Sequence, residues 1–266
     1  MALKKRLYDA FQKNLHTRRL IYLLKIAKRV MRKGSYYSRS FFYLPEKKVL
    51  YLSVSKAGNT SIKASMFAIP HAANYRAIHQ KVHTLHRSAG LGQIDDFADY
   101  YKFTFVRNPF HRLVSCYENK LHTDVDQLGN GIRFLIYDAY LMGFLSKDRG
   151  FKNFARRVCM IPDRIADRHF VSQSMGALTS DGKLVVDFFG KLERMEKDYE
   201  PLRQRFGFAP LPHYNKTRRS GKSWMDYYDL DTARRVYKRY RTDIEVFGYQ
   251  DAYDKLIAYL EAKGNA

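Results

Sequence analysis

The stretch that most constrains the fold is an apolar run, a small-residue loop and a helix start, in that order, over residues 49–66. Residues 49–54 are apolar and favour a short β-strand, and residues 61–67 can start a helix. The loop between them carries Lys56 and Gly58. A strand–loop–helix unit of this kind points backbone N–H groups and a helix N-terminus at an anion such as phosphate.

This loop differs from the Walker A pattern. That pattern ends in Lys-Ser or Lys-Thr after its second glycine, whereas here Lys56 precedes Gly58, and Asn59, Thr60 and Ser61 follow. Taken alone, the residues leave two interpretations open. The loop is either an anion cradle with a lysine at its mouth or an ordinary glycine-containing turn with a solvated lysine.

A second junction of strand and helix lies at residues 102–121. Residues 102–106 predict a buried strand, Asn108 is a good N-cap, and Pro109 suits the first helical position. Apolar residues then recur at helical spacing, and Ser115 falls off their face. Because open α/β sheets bind ligands at the carboxyl ends of their strands, we expect Arg107 and Ser115 to reach a common cleft there.

The remaining pattern predicts an α/β fold with a parallel sheet flanked by helices. A third strand is predicted at residues 184–190. Helices are predicted at residues 94–101, 135–144, 151–158, 192–206, 232–247 and 251–262. We expect a single domain over residues 41–266, preceded by a basic amphipathic segment over residues 1–40. That segment either packs its apolar side on the domain or lies on an anionic membrane surface.

Charge and cysteine content narrow the classes of partner and compartment. The 48 Lys and Arg exceed the 26 Asp and Glu, for a net charge of +22, which favours polyanionic partners. The two cysteines, Cys116 and Cys159, form no disulfide framework or zinc motif and suggest free thiols in a reducing cytosol. No run of about 18 apolar residues and no signal peptide is visible. We therefore expect a cytoplasmic protein, with peripheral contact at the inner face of a membrane as an open alternative.

Two segments together resemble a known family. Residues 55–61 resemble the 5′-phosphosulfate-binding loop of sulfotransferases that use 3′-phosphoadenosine-5′-phosphosulfate (PAPS), and residues 105–117 resemble their 3′-phosphate-binding element. The likeness is to the carbohydrate branch (sulfotransferase family 2), which includes the chondroitin, dermatan and HNK-1 enzymes. Weaker likenesses lie at residues 167–173, 186–193 and 227–249. The resemblance implies the sulfotransferase fold, a P-loop-NTPase-like parallel sheet flanked by helices.

The resemblance also implies an enzyme of the EC 2.8.2 type. Such an enzyme moves a sulfuryl group from PAPS to a hydroxyl of a carbohydrate, here a polysaccharide or glycolipid, by in-line displacement. Catalysis of this kind depends on positioning and on charge stabilisation. No metal is expected, because a sulfuryl group carries less charge than a phosphoryl group.

The resemblance also implies a role for each residue that matches a family motif. Lys56 would stabilise the leaving phosphate, and Arg107 and Ser115 would hold the 3′-phosphate. The 5′-phosphate would be cradled by Gly58, Asn59, Thr60 and Ser61. A basic loop with Thr217, Arg218 and Ser220 would cover the nucleotide.

A general base must accept the acceptor's proton, and histidine is the default near neutral pH. Related enzymes place a His or Glu between the two phosphate motifs, where this chain has a cluster of histidines. As candidates for the general base, we rank His83 first, then His86, then His79.

Two other classes compete with this hypothesis. A nucleoside-triphosphate-dependent kinase is disfavoured by the missing Walker A motif. A basic nucleic-acid-binding or anionic-lipid-binding protein would account for the net charge. We expect no nucleic-acid partner, since no recognised motif is present and the basic residues are spread along the chain. An anionic carbohydrate acceptor fits the same charge.

Overall fold

The sheet of this computed structural model positions the two loops that carry the described candidate residues. The structure describes residues 15–69, 94–121, 137, 140–145, 150–212 and 222–264. Within them the sheet has four strands in the order β1–β2–β3–β4. These are β1 (Phe41–Leu44), β2 (Val49–Leu52), β3 (Tyr101–Val106) and β4 (Phe188–Lys191).

Three of these strands are parallel, as the sequence predicts. Strand β3 pairs in parallel with β2 on one side and β4 on the other, while β1 runs antiparallel to β2. All four residues of β2 are buried, as is typical of a strand covered on both faces. The carboxyl ends of β2, β3 and β4 therefore lie along one edge of the sheet.

The described residues also form nine α-helices. They are α1 (Leu15–Lys33), α2 (Asn59–Met66), α3 (Pro109–Leu121), α4 (Gly150–Cys159), α5 (Ser174–Ala177), α6 (Met195–Phe206), α7 (Leu230–Arg239), α8 (Arg241–Phe247) and α9 (Gln250–Gly264). On one face of the sheet, Tyr51 and Phe105 pack with Ile62 of α2 and Tyr199 of α6. On the other, Leu50 packs with residues that include Phe97 and Val186. The larger core cluster forms around α3, α4 and α7.

Several predicted elements differ from those observed. The strand predicted at residues 184–190 corresponds to β4, which starts only at Phe188. Leu184 is exposed and bridges Leu178 instead of pairing with β3. The predicted helix at 94–101 is a single 3-10 turn, Asp95–Phe97, before β3 begins. The predicted helix at 232–247 is interrupted at Tyr240, whose buried hydroxyl donates to the Phe170 carbonyl at 2.5 Å. Strand β1 has no counterpart among the predictions.

Helix α1 packs on the rest of the chain through one side. Ile26 is buried in the main core, and the Tyr22 ring lies edge-on to the Tyr140 ring at 6.3 Å. The division into residues 1–40 and 41–266 stays a prediction. Among the described residues, no helix has the length and apolar character needed to cross a bilayer.

Candidate active site

The first loop, residues 53–58, connects β2 to α2 through two left-handed backbone positions. Lys56 has φ 69° and Gly58 has φ 79°. A Cβ on Gly58 would overlap the terminal methyl of Met195 and lie 3.1 Å from Cδ1 of Leu192. Glycine is therefore favoured at position 58 both by its backbone conformation and by its close approach to neighbouring side chains.

The start of α2 presents backbone donors at the carboxyl edge of the sheet. Gly58 is the N-cap and provides no side-chain cap, so the first-turn N–H groups of Asn59, Thr60 and Ser61 are not capped by it. The Tyr51 hydroxyl donates to the Asn59 side-chain oxygen at 2.5 Å, which fixes the start of α2 to β2. A helix N-terminus of this kind suits an anion.

The second loop, residues 107–108, connects β3 to α3. The Asn108 side-chain oxygen accepts hydrogen bonds from the N–H groups of Phe110 (2.9 Å) and His111 (3.4 Å), which confirms the predicted N-cap. The Gln173 side chain binds both backbone groups of Arg107: its oxygen accepts from the N–H at 2.9 Å, and its nitrogen donates to the C=O at 2.8 Å. The backbone of this loop is thus fixed on both sides.

The two loops touch each other. Nη1 of Arg107 donates to the Lys56 carbonyl at 3.3 Å, and Nε of Arg112 donates to the Ser55 carbonyl at 3.0 Å. The structure therefore brings together Lys56, Gly58, Asn59, Thr60, Ser61 and Arg107 at one edge of the sheet. Ser115 lies in the same helix that Arg107 precedes, and it is buried rather than solvent-facing.

The Lys56 charge acts on the buried thiol of Cys116 in α3. Burial raises the pKa of the Cys116 thiol, and the Lys56 ammonium is one of the nearby groups that oppose this rise.

Buried positive charge accumulates at the second loop. Burial lowers the pKa of Arg107 to about 10, with the Glu193 charge opposing and the Arg112 charge adding to the effect. Burial, together with the Arg107 charge, lowers the pKa of His111 to about 3, so this imidazole stays neutral near pH 7. A cation held at such a position would be stabilised by a bound anion. The residues present therefore fit a phosphate-bearing ligand.

Three anchors of this site were missed by the sequence analysis. Glu193 accepts from the Asn108 N–H at 2.8 Å and from the Tyr249 hydroxyl at 3.0 Å. Asp243 is fully buried and accepts from the N–H groups of Gln173 and Ser174, both at 2.8 Å. All three lie in the segments of weaker family likeness, which gave no sign of their partners, because Gln173 is 66 and Glu193 is 85 positions from its bonded partner in the second loop.

Arg112 is a fourth missed residue. Besides the Ser55 carbonyl, its buried guanidinium donates to the carbonyls of Val171 at 2.7 Å and Arg168 at 3.3 Å. It therefore joins the first loop to the segment that contains Gln173. The available signal was its position within the same motif that contains Arg107 and Ser115.

Other predicted site residues lie outside the described residues. These are the general-base candidates His79, His83 and His86 and the covering-loop residues Thr217, Arg218 and Ser220. Among the described residues, no group of three or more His, Cys, Asp or Glu side chains could hold a metal ion.

Comparison with known proteins gives a consistent assignment. A family model described as "Sulfotransferase family" matches residues 39–250. Carbohydrate sulfotransferase 10 of Homo sapiens is 24 % identical over 244 residues, which is 79 % of this chain and 66 % of the relative. The Gallus gallus protein of the same name is 25 % identical over 238 residues, with the same shares of the two chains. The chain thus spans just under two thirds of the length of these relatives. No solved structure matches it.

Proposed function

This chain belongs to the sulfotransferase family, and on that premise we propose that it transfers a sulfuryl group from PAPS to a carbohydrate hydroxyl. One observation carries the proposal: the two loops that resemble the phosphate-binding elements of the family meet at the carboxyl edge, with Arg107 bonded to the Lys56 carbonyl. The names of the relatives support a carbohydrate acceptor.

Each residue has a definite task in this proposal. The N–H groups of Gly58, Asn59, Thr60 and Ser61 hold the 5′-phosphate at the start of α2. Arg107, with its planar pair of donors, holds the 3′-phosphate together with the Ser115 hydroxyl. Thr217, Arg218 and Ser220 cover the nucleotide.

Lys56 provides most of the stabilisation of the charge that develops during transfer. PAPS, when bound, supplies the sulfuryl group, and its 5′-phosphate is the leaving group. The Lys56 ammonium, placed near the bridging oxygen, offsets the negative charge that develops on the leaving phosphate. Either His83 or His86 accepts the proton of the acceptor hydroxyl. Near-normal turnover by His83→Ala, with nucleotide binding intact, would remove His83 from that role.

Calorimetric binding of the product 3′-phosphoadenosine-5′-phosphate (PAP) tests the nucleotide site. We expect micromolar-range binding to the wild type and a loss of roughly 10- to 100-fold in Arg107→Ala, since charge-assisted hydrogen bonds are removed. Arg107→Lys keeps the charge without the planar fork and should bind at an intermediate level. Arg241→Ala is a matched control, because Arg241 is exposed and pairs with the exposed Glu245.

Two outcomes would contradict the proposal. One is the absence of PAP binding to the folded wild type, and the other is a preference for ATP over PAP, which would favour a kinase. A steep salt dependence of RNA or DNA affinity without PAP binding would favour the nucleic-acid hypothesis.

The acceptor is proposed from charge. The net charge of +22 suits an anionic glycan. Transfer of radiolabelled sulfate from PAPS to a carboxylated polysaccharide should exceed transfer to a neutral polysaccharide of similar length. Equal transfer to both would remove charge as the basis of acceptor choice.

A further inference from the structure

Helix α1 carries an inner and an outer apolar stripe that lie side by side along the helix. The inner stripe contains Tyr22, Ile26 and Val30, and Ile26 is 3 % exposed within the main core. This stripe accounts for the packing of α1 on the rest of the chain. It does not account for the exposed apolar residues beside it.

The outer stripe is exposed. Leu20 is 54 %, Leu23 38 %, Leu24 59 % and Met31 79 % exposed, and Ala27 between them is exposed as well. At about 100° per residue these five side chains fall within an arc of about 100°, and they extend roughly 16 Å along the axis. Isolated apolar residues are common on protein surfaces, but a continuous stripe of this kind marks an interaction surface.

The flank of the outer stripe is basic. Lys25, Lys28 and Arg32 are exposed and follow the stripe along the side away from Ile26. Helix α1 has seven Lys and Arg residues and no Asp or Glu. An apolar stripe bordered by cations suits a surface that presents hydrocarbon below a layer of negative charge.

We infer that the outer stripe of α1 docks on an anionic phospholipid bilayer, with the helix lying in the plane of the interface. A second copy of the chain fits less well, because docking stripe to stripe would bring two sets of cations together. A nucleic acid would pair with the cations but would leave the leucines and Met31 without an apolar environment. The inference is independent of the proposed function, since α1 lies outside the range that matches the family.

Vesicle flotation of the full chain tests this docking. We expect the wild type to float with vesicles of phosphatidylglycerol and phosphatidylcholine and to stay behind with phosphatidylcholine alone. High salt should weaken the binding, because the attraction between surface charges is screened.

Two variants separate the apolar and the basic contributions. Leu24→Gln with Met31→Gln should lower the partition coefficient at least tenfold. Lys25→Gln, Lys28→Gln and Arg32→Gln together should lower it about 100-fold, given the attraction of each cation to an anionic surface. All five side chains are exposed, so both variants should fold, and thermal unfolding checks this.

Matched controls come from elsewhere in the chain. Met160→Gln with Leu184→Gln removes two apolar side chains that are 72 % and 42 % exposed. Arg234→Gln, Lys238→Gln and Lys255→Gln remove three exposed cations from α7 and α9. Both controls are expected to float like the wild type.

Three outcomes would overturn the inference. One is a wild type that does not float with anionic vesicles, and another is controls that lose as much binding as the α1 variants. The third is an outer-stripe variant that floats normally but loses self-association in analytical ultracentrifugation, which would assign the stripe to a second copy of the chain.

Discussion

The two loops of the candidate site are built in different ways. The first loop, at residues 53–58, owes its shape to left-handed backbone at Lys56 and Gly58. Two side chains that follow β3 stabilise this shape, because Arg107 and Arg112 donate hydrogen bonds to its carbonyl oxygens. The second loop has a standard helix start at Asn108, and its backbone is bonded by Gln173 and Glu193.

The difference sets an order of dependence. Asp243 fixes the backbone of Gln173, Gln173 fixes Arg107, and Arg107 contacts the first loop. A change at the buried end of this chain of contacts should disturb both loops. A change within the first loop should stay local. Four substitutions test that order.

Asp243→Ala should have the largest effect. It removes the buried acceptor of two backbone N–H groups, so we expect the free energy of unfolding to fall by about 3 kcal/mol. PAP affinity should fall as well, because Gln173 is released. Chemical denaturation and calorimetry measure the two effects. Asp254→Ala, at an exposed residue of α9, is the control, and an equal loss there would contradict the proposed order.

Arg112→Met should come next. Methionine fills much of the same space but leaves the carbonyls of Ser55, Val171 and Arg168 without their donor, for a loss of about 2 kcal/mol. The first loop should loosen, and PAP affinity should fall by roughly tenfold through the contact to Ser55. Unchanged PAP affinity in a destabilised variant would show that Arg112 has no part in positioning the loop.

Gly58→Ala should cost about 1.5 kcal/mol, through its left-handed backbone and its overlap with Met195. Gly182→Ala is a matched control: Gly182 has φ 83°, and a Cβ there meets nothing within 4 Å. The excess cost at Gly58 measures the overlap. In a double-mutant cycle, Gly58→Ala with Met195→Ala should be less destabilising than the sum of the two single changes. Strict additivity would exclude the overlap as a cause.

Tyr51→Phe should have the smallest effect, about 1 kcal/mol, because it removes a single hydrogen bond to Asn59. Tyr237→Phe removes a longer, exposed bond to Gln250 and should change stability little. Thermal unfolding measures both changes in stability. A loss at Tyr51 as large as that at Asp243 would mean that the first loop governs the second.

Local patterns in the sequence predicted the parts of the fold that are decided over a few residues. Strand β2, the loop with Gly58, the end of β3 and the N-cap at Asn108 each follow from propensity, backbone freedom or short-range hydrogen bonding. These features also predicted a parallel sheet and the placement of Lys56 and Arg107 at one edge. The roles of these residues, and of the histidines between the two motifs, stay predictions.

Only the tertiary structure decided which distant groups hold the site together. Gln173, Glu193 and Asp243 lie in segments of weaker family likeness that do not indicate what they bind, and their partners are tens of residues away. The break at Tyr240 and the burial of only one stripe of α1 are likewise decided by packing. Backbone sterics and capping act between neighbours in the chain. Burial and the pairing of buried polar groups depend on which segments meet, and the sequence of any one segment does not contain that information.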